Sequence, residues 1–464
     1  MAKQVTAYNH NPIQIIVIFT NSFLLLKMRL GAIILLILVI SYHGVNAKAI
    51  RLGKILKMIR KSPVLKQHFT GFALYDLTKK KMLAEQNGDK YFTPASNTKL
   101  FTFYAGLKLL KDSIAGLQYI QRSDSLIFWG TGDPTFLNAD YKSQPVLDNL
   151  KASTKKIYWA VGRYTSPFYG TGWTYDDYNE YYQPEISELP VYGNVIHFRH
   201  DGKQVVSYPE ISTNSPFRLL NDTQIRSAGF RIYRDILTND FHRPNTQAPA
   251  NYKQLVPFKV STAAISTILK SNISNFSGTV NIVLPAQHKT WNSIPADTLY
   301  RNMLLPSDNF IAEQILLNIA ATNGLEMNTP EVIDYIIKNF LQDLPDKPLW
   351  VDGSGLSRQD LFTPRTIIRL CEKIYEEVGD EKRLFNMLPN GGKTGTLRNL
   401  YKSNEPFVFA KTGSLSNNHN QSGFIITKRG RKLIYSFMNN NFVSPTSDVR
   451  NEMERMITFI YNNY

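Results

Sequence analysis

The sequence predicts an α+β protein interrupted by a long, mainly β insertion, and two observations carry that expectation. Three short polar motifs stand in order along the chain: Ser96-Asn97-Thr98-Lys99, Ser307-Asp308-Asn309 and Lys411-Thr412-Gly413. The first two open apolar runs of helical spacing, and the third lies in a β-rich stretch. Ser96 and Ser307 are 211 positions apart. That interval reads as strand pieces broken by Gly, Pro and Asp turns: Ser125 to Trp129, Ile157 to Val161 and Val195 to Phe198.

In the first motif, Pro94 and a serine precede Leu100-Phe101-Thr102-Phe103-Tyr104-Ala105, a helix start. Positions three apart share a helix face, so the Lys99 amine stands one turn above the Ser96 hydroxyl. A serine hydroxyl is a weak nucleophile until a base lies within hydrogen-bond reach. Lys99 serves as that base only if it is neutral, which burial and a nearby positive charge, such as Lys411, both favour. The ordinary use of such a pair is a serine cap followed by an exposed lysine.

Pro306-Ser307-Asp308-Asn309 also runs into an amphipathic helix. Ser307 is suited to relay a proton between Lys99 and a leaving amine, and the Asn309 amide to hold a substrate backbone carbonyl. Asp308 is expected to turn away as a helix cap.

Two Lys-Thr-Gly copies compete for the third place. Lys393-Thr394-Gly395 follows the turn-forming Asn390-Gly391-Gly392, whereas Lys411-Thr412-Gly413 follows Phe407-Val408-Phe409-Ala410 and precedes two further β-rich segments. A strand lining a cleft therefore favours Lys411. There it holds a substrate carboxylate or lowers the Lys99 pKa, Thr412 donates to that carboxylate, and Gly413 permits close approach. The backbone N–H groups of Ser96 and Ser414 are the candidate oxyanion donors.

This ordered trio is the signature of penicillin-binding proteins and class A β-lactamases. The chain resembles the class C low-molecular-mass penicillin-binding proteins, the D-alanyl-D-alanine carboxypeptidase/endopeptidases, over roughly residues 60 to 464. The likeness extends to Gly130-Thr131-Gly132-Asp133-Pro134, Gly172-Trp173-Thr174-Tyr175-Asp176-Asp177 with Tyr181-Tyr182, Asp352-Gly353-Ser354-Gly355-Leu356-Ser357-Arg358, and Gly395-Thr396-Leu397. The resemblance implies a penicillin-recognising transpeptidase-like (β-lactamase-like) catalytic domain with accessory domains inserted between the first two motifs. It also implies peptidoglycan stem peptides as substrate and acylation by β-lactam antibiotics. On this resemblance Ser96 is expected to attack the D-Ala-D-Ala carbonyl, with no metal or cofactor. One departure is Ser416-Asn417-Asn418-His419-Asn420-Gln421, more polar than the family's usual run.

Asp177, beside aromatic residues, and Arg358 together match the zwitterionic end of a diamino-acid side chain. Asp176 and Asp177 are not expected to act as an acid/base pair, because neighbours on an extended segment point to opposite faces.

The expected organisation is an upstream extension and signal peptide over 1–47, a first catalytic part over 48–117, inserted accessory structure over 118–285 and a second catalytic part over 286–464. Lys27-Met28-Arg29 before the apolar run Gly31 to Ile40, with Val45-Asn46-Ala47 beyond, reads as a signal peptide starting at Met28. A run of that length falls short of a membrane span, so export to the periplasm or envelope of a bacterium is expected, with no stable membrane span after cleavage. Loss of 1–47 removes Lys3, Lys27 and Arg29 and no carboxylate, lowering the net charge from +16 to +13. Such a charge suits an anionic polymer, but no nucleic-acid motif accompanies it. The eight histidines and one cysteine form no zinc spacing, and no Gly-x-Ser-x-Gly elbow is present. The competing readings are a catalytically silent envelope-binding protein of the same fold, against which the intact motifs argue, and a β-lactamase, against which the insertion argues. Oligomeric state is not legible.

Overall fold

A tightly paired antiparallel sheet places the third motif against the first. The structure, a computed structural model, describes residues 53–223 and 229–464. The expected extension and signal peptide lie outside the described residues. Ile59–Tyr464 folds as one compact unit.

The hairpin β1 (Phe69–Asp76) and β2 (Lys81–Gln86) leads through a 3-10 turn, Ala95–Thr98, into helix α1 (Lys99–Leu109). Next come β3 (Ser113–Gln121), β4 (Ser125–Gly130), α2 (Pro145–Ala152) and β5 (Lys156–Ala160). Short strands follow: β6 (Val195–His200), β7 (Val205–Tyr208), β8 (Arg218–Asp222), β9 (Tyr233–Arg234), β10 (Asp240–Pro244) and β11 (Lys253–Pro257). After α3 (Thr262–Asn272), β12 (Phe276–Val280) and β13 (Lys289–Pro295), the chain is helical: α4 (Ala296–Leu304), α5 (Asn309–Asn323), α6 (Thr329–Phe340), α7 (Pro364–Val378) and α8 (Glu381–Met387). It closes with β14 (Val408–Leu415), β15 (Asn418–Ile426), β16 (Lys432–Asn440) and α9 (Thr446–Asn463).

The first sheet runs β14-β15-β16-β1-β2 with every pair antiparallel. Leu433 to Asn440 of β16 are all buried, so this sheet is covered on both faces. α7 packs on β1 and β16, and α9 on β15. α5 is apolar nearly all round and buried from Phe310 to Ala321, as a central helix must be. Its ends are fixed by the Asp308 side chain, which accepts from the Ile311 N–H, and by Gly324 in the left-handed conformation. Phe101 and Phe103 of α1 are fully buried, each contributing about 1.5–3 kcal/mol of apolar burial. Cys371 sits in the same core, its thiol pushed up to about 12 by burial.

The second sheet runs β12-β5-β4-β3-β13. Its β4-β5 and β5-β12 pairs are parallel, so α2 and α3 lie in crossover connections. Two three-stranded sheets, β11-β6-β7 and β8-β10-β9, complete this region. Among the described residues, no helix is long and apolar enough to cross a membrane.

Candidate active site

The first motif begins in the 3-10 turn rather than in the α-helix, and Ala95 adopts a positive φ of 48°. The turn is held from below by the sheet. Asn440 Oδ1 accepts from the Thr93 N–H at 2.7 Å, while Asn420 Nδ2 and Asn440 Nδ2 donate to the Thr93 carbonyl at 2.9 and 3.2 Å. Asn97 Nδ2 donates to Ser422 Oγ at 3.0 Å, and Ser422 Oγ donates to Ser436 Oγ at 3.0 Å. Asn420, one residue of the polar run that departs from the family pattern, thus joins a buried hydrogen-bond network beneath the nucleophile turn. Such groups are tolerated inside only when paired.

Lys99 is fully buried, and its Nζ lies 2.9 Å from Ser96 Oγ. Asn309 Oδ1 and the Ser354 carbonyl, both 2.7 Å away, take the other two directions of the amine. A neutral amine that donates to these two acceptors turns its lone pair to the Ser96 hydroxyl. Burial lowers the Lys99 pKa to about 8, against the opposing pull of Asp352, Asp308, Glu313 and Asp360. Glu313 accepts from the Gly353 and Ser354 N–H groups at 2.9 and 2.8 Å, which fixes the loop whose carbonyl holds Lys99. Burial, with the Asp352 charge adding to it, raises the Glu313 carboxyl to about 8.

Ser307 has a positive φ of 68°, and its Oγ accepts from Lys411 Nζ at 2.7 Å. The hydroxyl is therefore coupled to the lysine of the third motif, where the sequence suggested a link to Lys99. Lys411 also donates to the Thr412 carbonyl at 2.6 Å. Its pKa is lowered well below 10.5 by burial first and by the Lys99 charge second. The like-charge effect between the two lysines thus bears on Lys411. For Lys99, burial is the leading cause.

Gly413 makes the approach of β14 possible. A Cβ there would lie 2.4 Å from the Pro94 carbonyl oxygen and 2.9 Å from the Ser96 nitrogen. Thr412 Oγ1 donates to Thr396 Oγ1 at 2.8 Å, and Ser414 Oγ lies 2.8 Å from His419 Nδ1. Lys393 is exposed on the turn after Asn390, outside the strand.

A cleft of about 580 Å³ opens over these groups, lined by Ser96, Ser307, Asn309, Thr412 and Ser414 and also by Asp177 and Arg358. Asp177 accepts from Thr174 Oγ1 at 2.7 Å and from the Tyr182 hydroxyl at 2.9 Å. Arg358 donates to the Ser416 carbonyl at 3.3 Å through both terminal nitrogens. Asp176 and Asp177 lie in a 3-10 turn, Tyr175–Asn179, and both line the cleft, so the extended-segment expectation for them was wrong. Asn309 Nδ2 donates to the Tyr182 carbonyl at 3.0 Å, joining this wall to the second motif and leaving one N–H of the amide.

The sequence reading gave no role to Ser354, Thr396, Tyr182 or His419. All four stand inside segments already singled out, but no local spacing marks a carbonyl aimed at Lys99 or a hydroxyl beside Thr412. A larger cavity of about 860 Å³ lies apart from this chemistry, lined by residues between Asp140 and Leu255, with Tyr181 on the edge of both.

The chain is similar to D-alanyl-D-alanine carboxypeptidase DacB of Haemophilus influenzae, 23% identical over 434 residues, or 85% of this chain and 90% of that one. Penicillin-sensitive carboxypeptidase A of Dictyostelium discoideum is 27% identical over 169 residues, 34% of this chain and 32% of that one. In fold it is similar to the crystal structure of penicillin binding protein 4 from Haemophilus influenzae. The TM-score is 0.70 at 19% identity, covering 88% of this chain and 98% of that chain. A second structure of that protein, complexed with a β-lactam, matches with a TM-score of 0.65 at 18% identity, covering 89% and 99%. Residues 52–230 and 266–463 match the family model for D-Ala-D-Ala carboxypeptidase 3, and with all three motifs falling inside those matches the chain belongs to the D-Ala-D-Ala carboxypeptidase 3 (S13) family.

Proposed function

We propose that Ser96 is the nucleophile of a serine-type D-Ala-D-Ala carboxypeptidase acting through an acyl-enzyme, with Lys99 as its base. One observation carries the reading: Lys99 Nζ reaches Ser96 Oγ at 2.9 Å while acceptors occupy its other two directions. Ser96 attacks the penultimate D-alanine carbonyl and its proton passes to Lys99. The Ser96 and Ser414 N–H groups receive the oxyanion, and the close approach at Gly413 supports that pairing. Ser307, whose Oγ accepts from Lys411, relays the proton held by Lys99 to the departing D-alanine nitrogen, so that Lys99 is neutral again and Lys411 keeps its charge. Water then attacks the ester, Lys99 taking the water's proton and returning it to Ser96 as the acyl group leaves. A substrate carboxylate beside Lys411 restores the cation that burial disfavours, so binding and charge reinforce each other.

The substrate class is the peptidoglycan stem peptide, which makes this an enzyme of the cell envelope. Its periplasmic location is supported by the signal peptide read from Met28. Cross-linked peptides are a second substrate, since they present the same D-alanyl carbonyl in an amide to another peptide's side-chain amine, and β-lactams acylate the same serine. Asp177 and Arg358, both lining the cleft, receive the diamino-acid side chain of the stem peptide. The test is incubation with a fluorescent penicillin followed by intact mass. The wild type gains one adduct and Ser96→Ala gains none, while its melting temperature shifts little. An adduct of equal yield in the variant would refute Ser96.

A further inference from the structure

The polar run after the third motif places an imidazole directly behind the cleft rim. Ser414 and His419 are register partners on β14 and β15, and Ser414 Oγ meets His419 Nδ1 at 2.8 Å. Ser414 is exposed in the cleft, whereas His419 is 3% exposed. Thr412 and Ser414, two apart on a strand, share a face, so their hydroxyls stand in line along the cleft rim. Burial, then the Arg450 and Lys411 charges, hold the His419 pKa down at about 4. The ring is therefore neutral near pH 7 and carries one N–H.

We propose that His419 is a positioning residue that turns the Ser414 hydroxyl toward the substrate carboxylate and thereby sets the preference for peptides bearing a carboxylate next to the scissile amide. This rests on the reading of the site given above. A hydroxyl has a single proton, so it serves a carboxylate only if its partner behind donates to it. With a carboxylate in the cleft, the Nδ1–H form of His419 donates to Ser414 Oγ, and Ser414 O–H points outward. Every proton in that arrangement has an acceptor. The opposite tautomer would draw the hydroxyl proton back onto the ring and leave the carboxylate facing lone pairs.

The experiment compares a stem-peptide mimic ending in D-Ala-D-Ala with the same peptide ending in D-alaninamide, reading kcat and KM separately in the full chain. Wild type prefers the free carboxylate. His419→Phe, which keeps the ring but removes the donor, loses about tenfold of that preference, through KM. His419→Asn restores most of it, because its amide nitrogen falls near the Nδ1 position. Ser414→Ala, at an exposed position that does not threaten folding, loses the same preference, and adding His419→Phe to it costs no more. A structural role for His419 would lower both substrates equally and leave the ratio intact. An unchanged ratio in either Ser414→Ala or His419→Phe overturns the proposal. A wild type that releases no D-alanine and forms no penicillin adduct overturns the reading of the site, and this inference with it.

Discussion

Trp173 donates its indole N–H to Asp352 Oδ2 at 2.8 Å. Asp352 also accepts from the Gly355 and Ser357 N–H groups, both at 2.7 Å, and so shapes the loop whose Ser354 carbonyl holds Lys99. The wall of the cleft and the base at its floor therefore share one carboxylate. Trp173→Phe leaves a fully buried carboxylate one donor short, at a cost of about 1–3 kcal/mol. Chemical denaturation reads that loss, and penicillin acylation slows with it. Unchanged stability would mean that water replaces the indole.

The base must be neutral to accept the Ser96 proton, and the Lys99 pKa lies at about 8. Acylation should therefore rise about tenfold per pH unit below that value and level off above it. Stopped-flow acylation between pH 5.5 and 9, values chosen to bracket that pKa by roughly a unit or more, reads the profile, and a flat limb would exclude Lys99 as base. Because this pKa lies below the ordinary 10.5, the unfolded chain binds the extra proton between the two values. The contribution of this group to stability accordingly increases with pH across that window.

Lys411→Ala removes the partner of Ser307 and the cation at the carboxylate end of the cleft. It should reduce kcat/KM by about a hundredfold or more, in the range of a lost charge-assisted contact. Lys393→Ala, on an exposed turn, should change stability by less than about 0.5 kcal/mol and activity little. The reverse order would assign the third motif to the other copy.

Asp177→Ala should reduce kcat/KM for peptides with a free side-chain amine by about tenfold, about 1.4 kcal/mol, and leave penicillin acylation nearly unchanged. Arg358→Ala should show the same selectivity for peptides whose side chain ends in a carboxylate. Equal losses on peptide and penicillin would mean that Asp177 acts only by holding Thr174 and Tyr182.

What the sequence disclosed was local. Ser96 and Lys99 are three apart, Asp308 opens a helix that it caps, and Lys411 lies between β-rich flanks, so spacing and propensity suffice. The pieces read at Ser125, Ile157 and Val195 lie in β4, β5 and β6. What stayed hidden depends on partners far along the chain. Asn420 and Thr93 are 327 positions apart, so nothing local marks Asn420 as a support of the nucleophile turn. The Ser354 carbonyl is invisible for another reason, since a backbone oxygen has no signature in residue type. Asp176 and Asp177, expected on an extended segment, lie where the backbone closes into a 3-10 turn.

The contact at Gly413 limits how near the strand can come to the nucleophile turn. With hydrogen in place of a side chain, strand and turn already touch, and one added carbon would fall 2.4 Å from the Pro94 oxygen and 2.8 Å from the Asn97 nitrogen. The gap between them is thus gauged by atoms in contact, not by the length of any loop. A single methyl group at position 413 would reset it, forcing β14 outward and pulling Lys411, Thr412 and Ser414 away from Ser96 together.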